Sequence, residues 1–289
     1  MSSISLLAIV GSTASGKSGL AMELSKHRDV EIIAADSLTV YKGLDIGTAK
    51  PSQEDQRLVP HHLLDVADGS SPYNVASFQA AAQEAAAQIR GRGNLPVLVG
   101  GSGLYIDSVI FNYTFRNISD VDAARDLEAK SVQELQAMLQ ARSIHLPENK
   151  ENKRYLIRSL LSGETPEPSD RHQMAEGTLV VGLHPDKQQQ EGHIRTRLDS
   201  MIEQGVIDEA QQALANYSQG SEALKGNIYQ SLAPYFAGRQ SLDEAKEDYV
   251  RRDMRLAKRQ YTWFKRNKSI TWFEEPRAAL DYLLDELTY

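Results

Sequence analysis

Cysteine is absent from all 289 residues. That excludes disulfides and thiolate zinc sites, and it suits a reducing cytoplasm. No apolar run approaches the ~20 residues of a membrane span. The first apolar run, residues 4–10, stops at Gly11 and has no basic segment ahead of it. No signal peptide is therefore expected. An overall basic excess is missing too, since the net charge is −7. This argues against a uniformly basic nucleic-acid binder but leaves room for a local basic face. Repeats and low-complexity tracts are also lacking. What remains is a chain of ordinary globular composition, long enough for one large domain or two small ones.

The most informative stretch is Gly11-Ser12-Thr13-Ala14-Ser15-Gly16-Lys17-Ser18. It fits G-x-x-x-x-G-K-[ST], the P-loop pattern. An apolar, β-branched run precedes it, and Leu20 and Leu24 share one face of a helical run after it. Strand, glycine loop and helix start are the context the pattern requires. Loop N–H groups then point at phosphate oxygens, backed by the positive end of the helix dipole. Lys17 adds a point charge, and the Ser18 hydroxyl is placed to ligand Mg²⁺. The pattern formally accepts ATP, but it specifies only a phosphate compound.

Residues 30–35 read as a second strand, ending at Asp36-Ser37. Ligands sit at the carboxyl ends of strands in open α/β sheets, so Asp36 is expected beside the bound phosphates. Residues 40–51 read as a loop over the site, with Lys42 and Lys50 as candidate anion holders. The adjacent His61 and His62 lack the one-face spacing of a metal pair and show no evident carboxylate partner. A helix is expected over residues 74–92, burying Phe78, Ala82, Ala85 and Ile89. Residues 95–99 form a strand that runs into a second glycine loop, Gly100-Gly101-Ser102-Gly103. The two glycine loops should face each other across a cleft.

Residues 113–172 change character. Helix-like stretches at 122–142 and 152–162 are punctuated by Pro147, Gly163, Pro166 and Pro168, with no convincing strand. The expected layout is a P-loop-type α/β core over 1–112 and 173–289, a parallel sheet flanked by helices. A small helical insertion fills 113–172. A strand at 179–183 resumes the sheet. Within a final long helix at 243–267, Val250, Met254, Ala257, Tyr261 and Phe264 recur at helical spacing. Residues 251–268 hold eight Lys/Arg and one acid, Asp253. A second basic cluster, Lys150, Lys153, Arg154 and Arg158, lies in the insertion. Two basic patches on different elements suit a polyanion better than a mononucleotide.

A P-loop usually signals phosphoryl transfer. Here no second strand supplies a Walker-B acid, and residues 40–60 offer only Arg57 for a lid. A second chemistry fits these parts. A diphosphate held as a leaving group makes the attached carbon electrophilic, and Asp36 deprotonates the nucleophile.

The sequence resembles the tRNA dimethylallyltransferases, also called tRNA isopentenyltransferases. The matching pieces are residues 11–18, Ala35-Asp36-Ser37, 40–51 (VYKGLDIGTAKP), 60–65 (PHHLLD), 71–78 (SPYNVASF), 99–105 (VGGSGLY) and 256–263 (LAKRQYTW). They span nearly the whole chain, and VYKGLDIGTAKP with PHHLLD is more specific than the P-loop. The resemblance implies transfer of a dimethylallyl group from dimethylallyl diphosphate to N6 of adenosine 37 in tRNA, with Mg²⁺, by a cytoplasmic, monomeric enzyme with no membrane partner. Catalytic roles fall on Asp36, Lys17 and Ser18. The diphosphate falls to Gly11, Ser12, Thr13, Ala14, Ser15, Gly16, Lys17 and Ser18, with Lys225 where the family carries an arginine. tRNA contacts fall on Asp36, Ser37, Leu38, Thr39 and Ser102. In the insertion they fall on Arg125, Arg154, Tyr155, Leu156, Ile157 and Arg158, and in the basic helix on Arg255, Lys258, Arg259 and Gln260. Tyr155 and Leu161 stand where the family has an arginine and often a glutamate. The alternatives are an adenylate isopentenyltransferase using free AMP or ATP, a P-loop kinase or NTPase, and a tRNA-binding relative without catalysis.

Overall fold

The computed structural model describes residues 4–69, 73–115, 121–147, 149–162, 173–218 and 220–288, with 121–124 as backbone. The sequence features at Ser71, Pro72, Gly163, Pro166 and Pro168 lie outside the described residues. Two compact units divide the chain, Met1–Asn112 with Met174–Tyr289, and Tyr113–Gln173.

The strands are β1 (Leu6–Gly11), β2 (Val30–Ala34), β3 (His61–His62), β4 (Leu95–Gly100), β5 (Thr178–Leu183) and β6 (Thr271–Phe273). All their pairings are parallel, in the order β3-β2-β4-β1-β5-β6. Before the smaller unit come helices α1 (Lys17–Leu24), α2 (Gln53–Leu58), α3 (Val75–Gly91) and α4 (Gly103–Ile110). The smaller unit holds α5 (Val121–Glu128), α6 (Val132–Ala141) and α7 (Lys153–Ser162). After it come α8 (Lys187–Glu203), α9 (Val206–Asn216), α10 (Asn227–Phe236), α11 (Leu242–Phe264) and α12 (Pro276–Glu286). Among the described residues no helix is long and apolar enough to cross a membrane.

Central strands of a parallel sheet are covered on both faces and so read as continuous apolar runs. β1 is buried throughout. Its Leu6, Ala8 and Val10 pack with Phe78, Ala82 and Ile89 of α3 and Ile106 of α4. Leu7 and Ile9 point to the opposite face, onto Leu20 and Leu24 of α1 and Leu280 and Leu283 of α12. This alternation is the two-residue period of a strand. β1 and β4 are neighbours, with Val10 opposite Gly100. The chain leaves β1 toward β2 on one side, and after β4 its next strand, β5, lies on the other. Such a reversal opens a crevice at the carboxyl ends of the two strands. Both glycine loops emerge there.

A third core joins Val40, Tyr41 and Leu44 to α8, α9, α10 and α11. The loop at 40–51 is thus seated on helices. Residues 250, 257 and 264 of α11 are buried as expected, while Met254 and Tyr261 are only partly covered. Asp253, the lone acid of the basic run, is buried as well.

In the smaller unit Leu127, Leu135, Leu139, Leu156 and Leu160 form a core of their own. The expected single helix at 122–142 is two helices. Ser131 starts α6 with a capping box: its hydroxyl accepts from the Glu134 N–H at 3.2 Å, and the Glu134 carboxylate accepts from the Ser131 N–H at 2.7 Å. The chain enters and leaves the larger unit at one point, because the Ala175 N–H donates to the Ile110 carbonyl at 2.8 Å.

Candidate active site

The loop after β1 takes its shape from two left-handed residues. Gly16, at φ 91°, caps the start of α1, and Ala14 sits at φ 56°. Alternating hand turns successive N–H groups inward into an anion-binding concavity. Two other helices brace it. Gln190 of α8 donates to the Ser12 hydroxyl at 2.5 Å and to the Thr13 carbonyl at 2.8 Å. His193 Nδ1 lies 3.1 Å from the Ala14 carbonyl. Gln260 of α11 accepts from the Thr13 N–H at 2.7 Å. Lys17 Nζ donates to the Ser12 carbonyl at 2.6 Å. Burial lowers its pKa to about 8, partly opposed by Asp36 and reinforced by Arg197. Ser18 is exposed at the first turn of α1.

Asp36 follows β2. Its carboxylate accepts from the Leu38 N–H at 2.9 Å. Burial raises its pKa, outweighing that bond and the pull of Lys17. Ser102, in the second glycine loop, accepts from the Ser37 N–H at 3.0 Å and ties the two loops together. A cavity of about 620 Å³ opens here. Its lining includes Thr13, Asp36, Ser37, Leu38, Gly47, Ser102, Leu104, Tyr105, Lys225, Arg259, Gln260 and Trp263. These residues come from nearly every predicted motif.

The sequence reading missed the cation on the same wall. Arg197 of α8 lines the cavity with Tyr249, Asp253 and Asn227. Its guanidinium donates to the Tyr249 hydroxyl at 3.0 Å and to the Asp253 carboxylate. Asp253 also accepts from Asn227 Nδ2 at 2.6 Å. The Arg197 Nε is buried without a partner. Its charge is felt by both Lys17 and Asp36. The available signal was Asp253, an acid on the apolar period of a basic helix. A buried carboxylate there requires a cation.

Lys225 lines the cavity but is paired with Glu222, which lines it too. Thr39 is buried, so it offers no surface to a large partner. Arg255, Lys258 and Arg259 are exposed on α11, whereas Arg251 and Arg252 are held by Asp248. Gln260 is partly covered and engaged by the phosphate loop. In the smaller unit Arg125, Arg154, Tyr155 and Arg158 are exposed. Leu156 is fully buried there, and Ile157 packs against the same core. Leu156 is thus a core residue and not a contact surface, as its spacing of four from Leu160 dictates. Lys50 is no anion holder. Its ammonium is buried against the Tyr41 carbonyl, Asp45 and Asp65 at 2.5–2.7 Å. The histidines have a carboxylate after all: His62 Nε2 lies 2.7 Å from Glu31, which also receives Arg92 and Asn94.

The sequence profile of the IPP transferase family matches residues 39–267, and that of isopentenyl transferase matches residues 4–65. A tRNA dimethylallyltransferase of Streptococcus pyogenes serotype M6 is 36% identical over 276 residues, covering 94% of this chain and 91% of that protein. The full-length tRNA isopentenylpyrophosphate transferase of Bacillus halodurans superposes with a TM-score of 0.74 at 33% identity, over 98% of this chain and 96% of that one. A tRNA delta(2)-isopentenylpyrophosphate transferase of Staphylococcus epidermidis gives 0.73 at 27% identity, over 98% of each chain. With the profile running from the end of the Asp36 loop through the basic helix, and relatives aligned along almost its whole length, the chain belongs to the IPP transferase family.

Proposed function

We propose that the protein transfers a dimethylallyl group from dimethylallyl diphosphate to N6 of adenosine 37 in tRNA, giving N6-isopentenyladenosine. The observation that carries this reading is one cavity shared by Asp36 and Arg197, within electrostatic reach of Lys17. Residues 11–18 hold the diphosphate through loop N–H groups and Lys17. Arg197 presents a second fixed cation, and Lys225 stands at the edge. As the carbon–oxygen bond breaks, its electron pair leaves with the diphosphate, and these cations stabilise the growing charge. Adenine N6 forms the new bond to that carbon and gives its proton to the Asp36 carboxylate. Burial makes Asp36 a better proton acceptor than a solvated aspartate.

Mg²⁺ fits the chemistry of this loop. Ser18 is exposed, and its hydroxyl would hold the ion together with oxygens of the diphosphate. When bound, the ion supplies further positive charge to the leaving group. The target base must leave its stack to reach Asp36. Arg255, Lys258 and Arg259 on α11 meet tRNA phosphates, as do Arg154 and Arg158 in the smaller unit.

The test uses labelled dimethylallyl diphosphate, Mg²⁺, and either AMP or an anticodon stem-loop with three adenosines centred on position 37. Label should pass to the stem-loop and not to AMP, and Asp36→Ala should abolish transfer. Transfer to AMP alone would refute the tRNA reading. Transfer to neither would favour a non-catalytic binder.

A further inference from the structure

Glu209 of α9 lies outside the cavity lining, yet its carboxylate gathers four donors. One oxygen accepts from the N–H groups of Asp45 at 2.7 Å and Ile46 at 2.8 Å. The other accepts from the Gly47 N–H and the Tyr229 hydroxyl, both at 2.8 Å. Three successive N–H groups converging on one carboxylate make an anion nest filled from within the chain. Both partners matter to the cavity. Gly47, Thr48 and Ala49 form part of its wall, and Tyr229 sits in α10, whose start carries the lining residues Asn227 and Ile228. Gly47 lies flat against Tyr229: a Cβ at 47 would stand 2.5 Å from the tyrosine oxygen. The phosphate loop is held by other residues, Gln190, His193 and Gln260.

We infer that Glu209 is a positioning residue that fixes the Gly47–Ala49 wall for the acceptor, independently of diphosphate capture. The acceptor part of this rests on the transferase reading. The wall part does not. Hydrogen bonds accepted by an ionised carboxylate are the strong ones, and the four on Glu209 add to the backbone bonds from Ala49 to Ile46 and from Lys50 to Asp45 that close this turn. Glu209→Gln keeps the shape but turns an NH₂ group toward donors, so the turn must open. Tyr229→Phe removes one of the four bonds and leaves the rest, giving a milder perturbation.

The experiment takes wild type, Glu209→Gln and Tyr229→Phe as full-length protein. Hydrogen exchange over residues 44–50 should quicken about tenfold or more in Glu209→Gln, with β4 unchanged. Inorganic pyrophosphate should bind all three within about twofold of one another. The KM for the stem-loop should rise about tenfold in Glu209→Gln and two- to threefold in Tyr229→Phe, with kcat within about threefold of wild type. Unchanged exchange at 44–50 overturns the inference. So does pyrophosphate affinity that falls in step with the acceptor, or kcat that falls while KM holds. Should the wild type transfer no prenyl group, the functional proposal fails. The exchange and pyrophosphate arms then still judge whether Glu209 fixes the wall.

Discussion

Binding of dimethylallyl diphosphate should draw a proton onto Lys17. Burial holds its ammonium down from 10.5 to about 8, with Asp36 partly restoring it and Arg197 lowering it again. That displacement disfavours the charged form by roughly 3 kcal/mol. A diphosphate against Nζ reverses the sign of the local field and restores the ammonium. With a pKa near 8, the free protein holds Lys17 neutral in about a tenth of molecules at pH 7, half at pH 8 and nine tenths at pH 9. Proton uptake per binding event should therefore climb through roughly 0.1, 0.5 and 0.9 over that range. Calorimetry in buffers of different ionisation enthalpy measures it directly. Lys17→Arg serves as the control, because a guanidinium stays charged throughout and should take up none. The same linkage fixes a stability trend. The folded pKa lies below the unfolded one, so the cost of burying the ammonium is full below pH 8 and fades as pH rises from 8 toward 10.5. Uptake that is flat from pH 7 to 9, or equal in Lys17→Arg, would refute this electrostatic account of the loop.

Asp36→Asn should lower kcat by at least about a thousandfold while the thermal midpoint holds or rises, since a partly buried, desolvated carboxylate is replaced by a neutral amide. In the wild type the acid limb of kcat/KM should lie above the ordinary aspartate range, because burial raises the Asp36 pKa. A limb near 3.9 would show that Asp36 is solvated during turnover. Arg197→Lys keeps a charge but loses the planar fork between Tyr249 and Asp253. It should cost about 10- to 100-fold in kcat and weaken pyrophosphate binding, and unchanged kinetics would make Arg197 a structural clasp. Glu31 is buried and held to a pKa of about 2, chiefly by Arg92 and further by His62 and Asn94. Glu31→Gln should destabilise by about 2–3 kcal/mol at pH 7, discounted for the half-exposed Arg92. Its stabilisation is complete above about pH 4.5 and lost as pH falls toward 2. The gap between wild type and variant in urea unfolding should narrow over that window, and a gap constant with pH would rule the ion cluster out.

The phosphate loop, Asp36 and the second glycine loop were legible because each is local. A few adjacent residues specify the turn, and a strand delivers it to the sheet edge. α3 was legible for the same reason, with Phe78, Ala82, Ala85 and Ile89 buried at helical spacing. What escaped is nonlocal. Arg197 and Asp253 are separated by 56 residues and meet only once α8 packs on α11. Glu31 finds Arg92 across 61 residues because β2 and the start of β4 lie side by side. Lys50 looked free because its acids at 45 and 65 come together only when the loop closes. The break between α5 and α6 was available in Ser131-Val132-Gln133-Glu134, a capping-box pattern inside what otherwise reads as one helix. Leu156 shows the opposite error: membership of a charged stretch said nothing of which way its side chain points.

The bond between Ala175 and Ile110 has an engineering consequence. The larger unit sees the intervening chain as two ends already brought together, so what lies between is exchangeable in length. Replacing residues 113–173 by a six-residue turn should change the closure term by only about 2 kcal/mol in the core's favour. The parallel sheet, whose central pairings span both sides of that junction, keeps its register. Such a junction is a permissive port, where an insert can grow, shrink or be swapped without the central strands having to adapt.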